Sequence, residues 1–173
     1  MLAIPHSVEM IEKAFSRARQ MGAIGNSILE GRGSPAGFLA EEAVAAWTGA
    51  EIVSDSSYDY DLILNGETVE VKTKRRTVAP QSHYHVSIAE TSRHQRPDTY
   101  IFTSIEFGRS ARVGGQMRYG DIRAVWLLGQ IEARRFFETA TLWNSGTEDT
   151  ANGFVASVDC WQLPIGDLEP VVE

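Results

Sequence analysis

The segment from Tyr58 to Lys72 constrains this chain more than any other. It reads as two strands joined at Asn65-Gly66. A type I′ turn needs positive φ at both central residues, which Asn and Gly tolerate best. Strand alternation then sends Val69 and Val71 to one face, and Glu70, Lys72 and Lys74 to the other. Asp61 opens the preceding strand, across the hairpin from the Glu70–Lys72 end. Two carboxylates and one ammonium are thereby gathered at one edge of a sheet. Carboxylate oxygens favour magnesium, and a bound metal ion activates water for attack on phosphate.

Charge bears on what such a site would act upon. The net charge of −7 argues against broad coating of nucleic acid, but its distribution is uneven. Residues 1–71 carry a net −7, residues 72–123 a net +6 and residues 124–173 a net −6. A basic middle within an acidic chain binds a phosphate backbone locally, and such binding weakens with salt. The alternative is an acidic surface with incidental arginines. The densest basic run, Lys74-Arg75-Arg76, lies directly beyond the acidic hairpin. It is read either as a solvent-facing strand end or, preferably, as a contact to phosphates beside the cut site.

The 173 residues fit one domain, residues 1–173, with a sizeable core. No apolar run approaches a membrane span, and the first residues lack the pattern of a secretory signal, so no membrane association is expected. Cys160 is the only cysteine, which rules out an internal disulfide and makes cytoplasmic residence the expectation, host cytoplasm if the protein is phage-encoded.

The flanking segments supply a scaffold. A helix is predicted from Ser7 to Met21, with Val8, Ile11, Phe15 and Ala18 on its buried stripe. The Gly- and Ser-rich stretch from Gly22 to Gly37 is read as a connection with a short helical turn around Ile28-Leu29. Its Gly31–Pro35 portion lacks the lysine and glycine spacing of a phosphate-binding loop. A second helix is predicted from Ala36 to Thr48, with Leu39, Ala43, Ala46 and Trp47 inward and Gly49 ending it. Glu41 and Glu42 on this helix stand about 100° apart, so at most one is expected to serve a site. The alternative makes both solvated surface acids.

Strands are expected at Glu51–Ser54, Thr99–Phe107, Ile122–Leu128 and Phe154–Trp161, with a polar turn at Asp55-Ser56-Ser57. Val86 to Arg96 is either helical or extended before a turn. Ile131–Thr139 is predicted helical, with Phe136 and Phe137 inward. Gly108–Gly120 is a loop or hairpin tip bearing Arg109, Arg112 and Arg118, with Gly114-Gly115 as a flexible point. His83 and His85 share a face if extended, but no third ligand with zinc spacing joins them. Together these elements predict an α/β fold with a central mixed β-sheet flanked by helices.

For the chemistry, Asp61 and Glu70 are candidates to hold one or two magnesium ions, with the Val71 carbonyl as a further hard oxygen and Glu41 reaching in from the helix. Lys72 is placed to orient water or to stabilise charge on the transferred phosphoryl group. Asp59, two residues before Asp61, remains an alternative second-metal ligand or a turn cap.

With these residues on the page, the pattern resembles the PD-(D/E)XK nuclease superfamily. Asp61 matches the first acidic residue of that motif, and Glu70-Val71-Lys72 its second half, across a gap of eight residues. Tyr60 stands where the motif has proline. Gly37-Phe38-Leu39-Ala40-Glu41 resembles the helix ahead of the family's core sheet, which favours Glu41 over Glu42. The region of Arg93, Gln95 and Arg96 corresponds to the family's substrate-facing helix. The resemblance covers about residues 36–107, and compact phage-type and resolvase-like members are closest in size.

It implies a restriction-endonuclease-like core and a Mg²⁺-dependent endodeoxyribonuclease, with Mn²⁺ as a substitute, acting on duplex or branched DNA. Glu41, Asp61, Glu70 and Lys72 would be catalytic, with Lys74, Arg75, Arg76, Arg93 and Arg96 as DNA contacts. The absence of a separate sequence-reading domain points to structure-directed cleavage at a junction, flap or end. A homodimer would set two sites for paired cuts. Two other readings stand beside it: a noncatalytic nucleic-acid-binding or assembly protein that retains the fold, and a structural α/β protein whose hairpin displays solvated charge.

Overall fold

The computed structural model describes residues 1–21, 34–53, 59–108, 112–113, 116–117, 121–150 and 153–171. The expected turns at Ile28-Leu29 and Asp55–Ser57, the Gly31–Pro35 loop up to residue 33, and Arg109, Gly114-Gly115 and Arg118 lie outside the described residues. The chain runs β1 (Leu2–Ile4), α1 (Val8–Met21), α2 (Pro35–Thr48), β2 (Glu51–Ile52), β3 (Leu62–Leu64), β4 (Glu67–Arg76) and β5 (His85–Ala89). It continues with β6 (Thr99–Phe107), β7 (Arg112–Val113), β8 (Gln116–Met117), β9 (Ile122–Glu132), α3 (Ala133–Thr139), β10 (Thr141–Trp143), β11 (Glu148–Asp149), β12 (Phe154–Val155) and β13 (Cys160–Pro164).

A six-stranded sheet in the order β1-β9-β6-β4-β3-β2 forms the centre. Only β4 and β6 are parallel, paired from Val69↔Thr99 to Arg76↔Glu106; the other neighbours are antiparallel. The molecule is therefore α/β with a mixed sheet. No helix is long and apolar enough to cross a membrane.

Alternation along β6 explains the layers. Ile101, Ile105 and Phe107 join Val69, Val71, Val125 and Leu127 in a core against α2, while Tyr100 and Phe102 join a second core with Leu128, Ile131 and Phe136. That second core is closed by a smaller sheet, β10-β13-β5, which contributes Val86, Ile88 and Leu163. Burying each such side chain contributes roughly 1.5–3 kcal/mol. A strand buried on both faces reads as a continuous apolar run, which is how Thr99–Phe107 reads.

α2 begins at Ser34, whose hydroxyl accepts from the Gly37 N–H, and ends at Gly49 in the left-handed conformation at φ 75°. Its stripe is wider than expected. Ala36, Phe38–Ala45 and both glutamates are buried, whereas Ala46 is exposed and Trp47 only partly covered. The reason is that α2 lies between α1 and the sheet, so covering comes from two sides. Glu41 and Glu42 are consequently not solvated surface acids. On α1 it is Ala14 that is buried, while Val8 at the start of the helix is 72% exposed.

Two boundaries also differ from expectation. β9 runs through Gly129 to Glu132, so α3 starts at Ala133 rather than Ile131. Gly129 permits a register shift opposite Phe102/Thr103 and lets the last segment approach closely. A Cβ there would lie 2.6 Å from the Glu169 carbonyl oxygen and 2.7 Å from the Leu168 Cβ. The expected strand Phe154–Trp161 divides into β12 and β13, because residues 154–155 pair with β11 while Cys160–Pro164 pairs with β5 and β10. Val86–Arg96 takes the extended form, ending in a 3-10 turn at Glu90–Ser92.

Candidate active site

The site grows out of the hairpin. Asn65 and Gly66 both take positive φ, 54° and 88°, as a type I′ turn requires, and set the register Leu64↔Glu67, Ile63↔Thr68 and Leu62↔Val69. β3 stops at Leu62 while β4 continues to Arg76. Asp61 fills the place where pairing ends. Its N–H donates to the Val69 carbonyl at 2.9 Å, and its carboxylate Oδ2 accepts from the Val71 N–H at 2.8 Å. A side chain thus substitutes for the ladder bond that a longer β3 would have made.

This position is electrostatically costly for an acid. Burial, followed by the negative charges of Glu70 and Glu41, pushes the Asp61 carboxyl well above the usual carboxylate range; the Val71 N–H and Lys72 offset only part of this. Asp61 has no ion pair among the described residues. Negative charge from β4 and from α2 therefore converges on one carboxylate that no side-chain cation neutralises.

Glu70 and Lys72 sit together on the face of β4 opposite Val69 and Val71, as alternation requires. Lys72 Nζ donates to Glu70 Oε1 at 2.6 Å and to Gln95 Oε1 at 2.9 Å, and Gln95 Nε2 donates to the same Glu70 oxygen at 3.2 Å. Glu70 is buried and the Lys72 side chain is 22% exposed, so the ammonium stands between the buried acid and solvent. Tyr100, beside Glu70 in the β4–β6 register, has its hydroxyl pushed up to about 12, first by burial and then by Glu70.

Glu41 reaches the site from α2 but does not stand alone. Arg17 of α1 donates to Glu41 Oε2 at 2.7 Å and to Glu42 Oε1 at 3.2 Å, while its guanidinium lies 4.3 Å from the centre of the Phe38 ring. Lys13 adds a 2.7 Å bond to Glu42. Glu41 contributes negative charge at Asp61, whereas Glu42 is tied to both α1 cations. This agrees with giving the two adjacent acids different roles. Asp59 is exposed.

The donor set suits a hard divalent cation in kind: three carboxylates and the backbone of Val71, with surplus negative charge at Asp61. Among the described residues no group of three or more Asp, Glu, His or Cys side chains is placed to hold a metal ion. Magnesium retains several waters and binds through one or two protein carboxylates, so Asp61 with Glu70 fits that habit better than an all-protein cage.

The basic residues are divided by geometry. Lys74 Nζ and Arg76 Nη2 turn inward to the His85 carbonyl, at 3.0 and 3.1 Å, while Arg75 leaves the strand on the other face and is exposed. Arg93 lies over the rings of Trp161 and Phe137, at 5.1 and 5.6 Å, and bonds Glu90 at 3.5 Å; Arg96 is exposed. Arg93 and Arg96 leave a turn rather than a helix. Arg112 falls in β7, but its side chain is outside the described residues. His85 packs 5.3 Å from Trp143 with Nδ1 3.4 Å from Asp149, and His83 packs on Tyr84.

Two members of this arrangement escaped the sequence reading as site residues. Gln95 appeared only within the region of substrate-facing residues, yet its amide clamps Lys72 and Glu70. Arg17 carried one available signal, a cation on the buried side of α1 in a chain with an adjacent Glu-Glu pair on its next helix. No family model matches the chain, and no curated protein is significantly similar to it.

Proposed function

We propose that this chain is a magnesium-dependent endodeoxyribonuclease with a restriction-endonuclease-like core of the PD-(D/E)XK type. One observation carries the reading: Asp61, Glu70 and Lys72 meet where β3 leaves β4, and the negative charge of Glu70 and Glu41 falls on an Asp61 carboxylate without a cation partner. A chance scatter of acids offers no reason for gathering the buried Glu41 and Glu70 near the partly buried Asp61, because uncompensated charge out of water is destabilising. Such clusters occur where charge is needed.

In this reading Asp61 and Glu70 hold Mg²⁺, or Mn²⁺ in its place, with the Val71 carbonyl and Glu41 as further oxygen donors. The metal supplies a water of lowered pKa and neutralises charge on the phosphoryl oxygens. The Val71 N–H fixes the Asp61 carboxylate in orientation. Gln95 and Glu70 hold the Lys72 ammonium at the solvent side of the pair, where it orients the attacking water or stabilises the developing phosphorane charge. Arg75, Arg93 and Arg96 carry phosphates of duplex or branched DNA at a junction, flap or end, with Lys74 and Arg76 nearer the sheet. A homodimer would allow paired cuts, and the work would be done in the cytoplasm, the protein's own or a host's.

A second reading keeps the fold and loses catalysis. Its supporting observation is that Glu41 and Glu70 already hold cations, Arg17 and Lys72. Cleavage of linear, circular, flapped and four-way DNA, and of RNA, in Mg²⁺ and in chelator separates the two. Metal-dependent cleavage that disappears in Lys72→Ala supports the nuclease. Equal cleavage by that variant rejects the role given to Lys72, and an inert wild type that still binds DNA favours the noncatalytic protein.

A further inference from the structure

A second opening lies next to Lys72 on the same face of β4. Lys72 and Lys74, two residues apart, stand about 6–7 Å from one another along the strand. Both line a cavity of about 330 Å³ whose other walls include Ile88, Cys160, Ser157 and Phe154. That volume lies at the lower end of small-ligand pockets. The lining combines three kinds of surface. Ile88 and Cys160 make an apolar back wall, Ser157 offers a hydroxyl at the mouth, and two ammonium groups lie along one side.

Phe154 is the unusual member. The rings of Tyr100, Phe102 and Phe136 are buried in the second core, but Phe154 is 41% exposed on the short β11–β12 hairpin. Its ring centre lies 5.0 Å from Lys74 Nζ. The one hydrogen bond of Lys74 among the described residues goes to the His85 carbonyl, and an ammonium carries three donors. A half-exposed ring beside an ammonium, at the rim of a slot with apolar depth, matches a flat aromatic group joined to a phosphate. A base still stacked in a duplex cannot enter a cavity; only an unpaired or extruded base can. Stacking on an aromatic side chain also tolerates any base, since each has a π-face.

We propose that this cavity receives one unpaired nucleobase of the substrate strand, stacked on Phe154 with its phosphate on Lys74, one nucleotide from the phosphate cut at Lys72. The proposal rests on the nuclease reading and narrows it: the substrate is single-stranded or frayed at the cut site, and an intact duplex is a poor one.

The test is binding in chelator, where no cleavage is needed. A short oligonucleotide carrying one 2-aminopurine is used single-stranded and annealed to its complement. Wild type should quench the 2-aminopurine of the single strand and bind it more tightly than the duplex. Phe154→Ala should lose roughly 5- to 100-fold in affinity for the single strand, the range of one base–aromatic stack, and keep its duplex affinity within about twofold. Ser157→Trp, which fills the mouth, should do the same; both side chains are exposed, and thermal melting confirms the fold.

Unchanged single-strand binding in both variants, or equal loss on both forms of DNA, overturns the proposal while leaving metal-dependent cleavage by wild type intact as support for the nuclease. Selective loss in Phe154→Ala without any metal-dependent cleavage supports the cavity and rejects the nuclease. Displacement of the oligonucleotide by an equal concentration of free deoxynucleoside monophosphate overturns the proposal in favour of a free-nucleotide site.

Discussion

Replacing Asp61 with Asn should make this protein more stable and useless to metal. The carboxylate is partly buried and faces the charges of Glu70 and Glu41, so its ionised form is disfavoured in the folded state. Asn keeps an oxygen to accept from the Val71 N–H at 2.8 Å while removing the charge. The expected gain at pH 7 is about 1–2 kcal/mol, the usual size when a functionally required but unfavourable group is neutralised. For a chain of this size that is a rise of roughly 2–8 °C in Tm.

The sign with pH follows from linkage. Because the folded-state pKa of Asp61 is raised, the native protein holds a proton that the unfolded chain has released, from the ordinary value of 3.8 up to the raised native value. Wild-type stability therefore falls as pH climbs through that window, and the Asn variant escapes the fall. Melting curves of both proteins from pH 4 to 8 should show the Asn advantage absent at the acid end and growing with pH.

Mg²⁺ at about 100 times its Kd should add about 2.7 kcal/mol to wild type and little to the variant. A variant less stable than wild type at pH 7, or an advantage that does not vary with pH, refutes the claim that Asp61 is held against an excess of negative charge.

Two further perturbations probe neighbouring parts. Arg17→Gln removes the guanidinium bonded to the buried Glu41 and Glu42, and should cost about 3–5 kcal/mol by thermal or urea unfolding; a loss under about 1 kcal/mol would mean the pairs behave as surface ones. Lys74 is pulled down to about 8, first by burial and then by Arg76. Between that value and 10.5 the unfolded chain holds a proton the native one lacks, so Lys74 makes wild-type stability rise with pH through the window, on the order of 2–3 kcal/mol. Denaturant midpoints of wild type and Lys74→Met at pH 7.5 and 10 should converge on a difference of that sign, and parallel behaviour of the two proteins would refute it.

What the sequence disclosed follows the range of the forces involved. The Asn65-Gly66 hairpin and strand Thr99–Phe107 were legible because turn chemistry and alternation act between near neighbours. So was the Gly49 cap. The strand at Leu2–Ile4 was not, since three residues become a strand only by adding to the edge of β9, more than a hundred residues away in sequence. The β10-β13-β5 sheet escaped for the same reason: β5 meets β13 only across the whole of β6 and β9. On α2 the period argument placed Ala46 inside, but it assumed one packing partner where the helix has two. The core acids of the site were legible because Asp61 and Glu70 belong to one hairpin. The Arg17 cation at Glu41 and the Gln95 clamp on Glu70 were not, because each lies 24 or 25 residues from its partner.

The placement of those counter-charges separates the two functional readings more sharply than the acids do. Arg17 neutralises Glu41 and Glu42 from beneath, on the α1 side, and Lys72 neutralises Glu70 from the solvent side. Neither is ion-paired with Asp61, and Lys72 offsets only part of the charge that falls on it. In a protein that only bound nucleic acid, Asn at this position would supply the acceptor that the Val71 N–H needs without the charge. The nuclease reading gives that carboxylate a role, since an arriving cation would offset the charge of Glu70 and Glu41. In that reading the cation would share Glu70 with Lys72, whose ammonium is held by Gln95 as well. Gln95 would then keep Lys72 in place were its ion pair with Glu70 weakened.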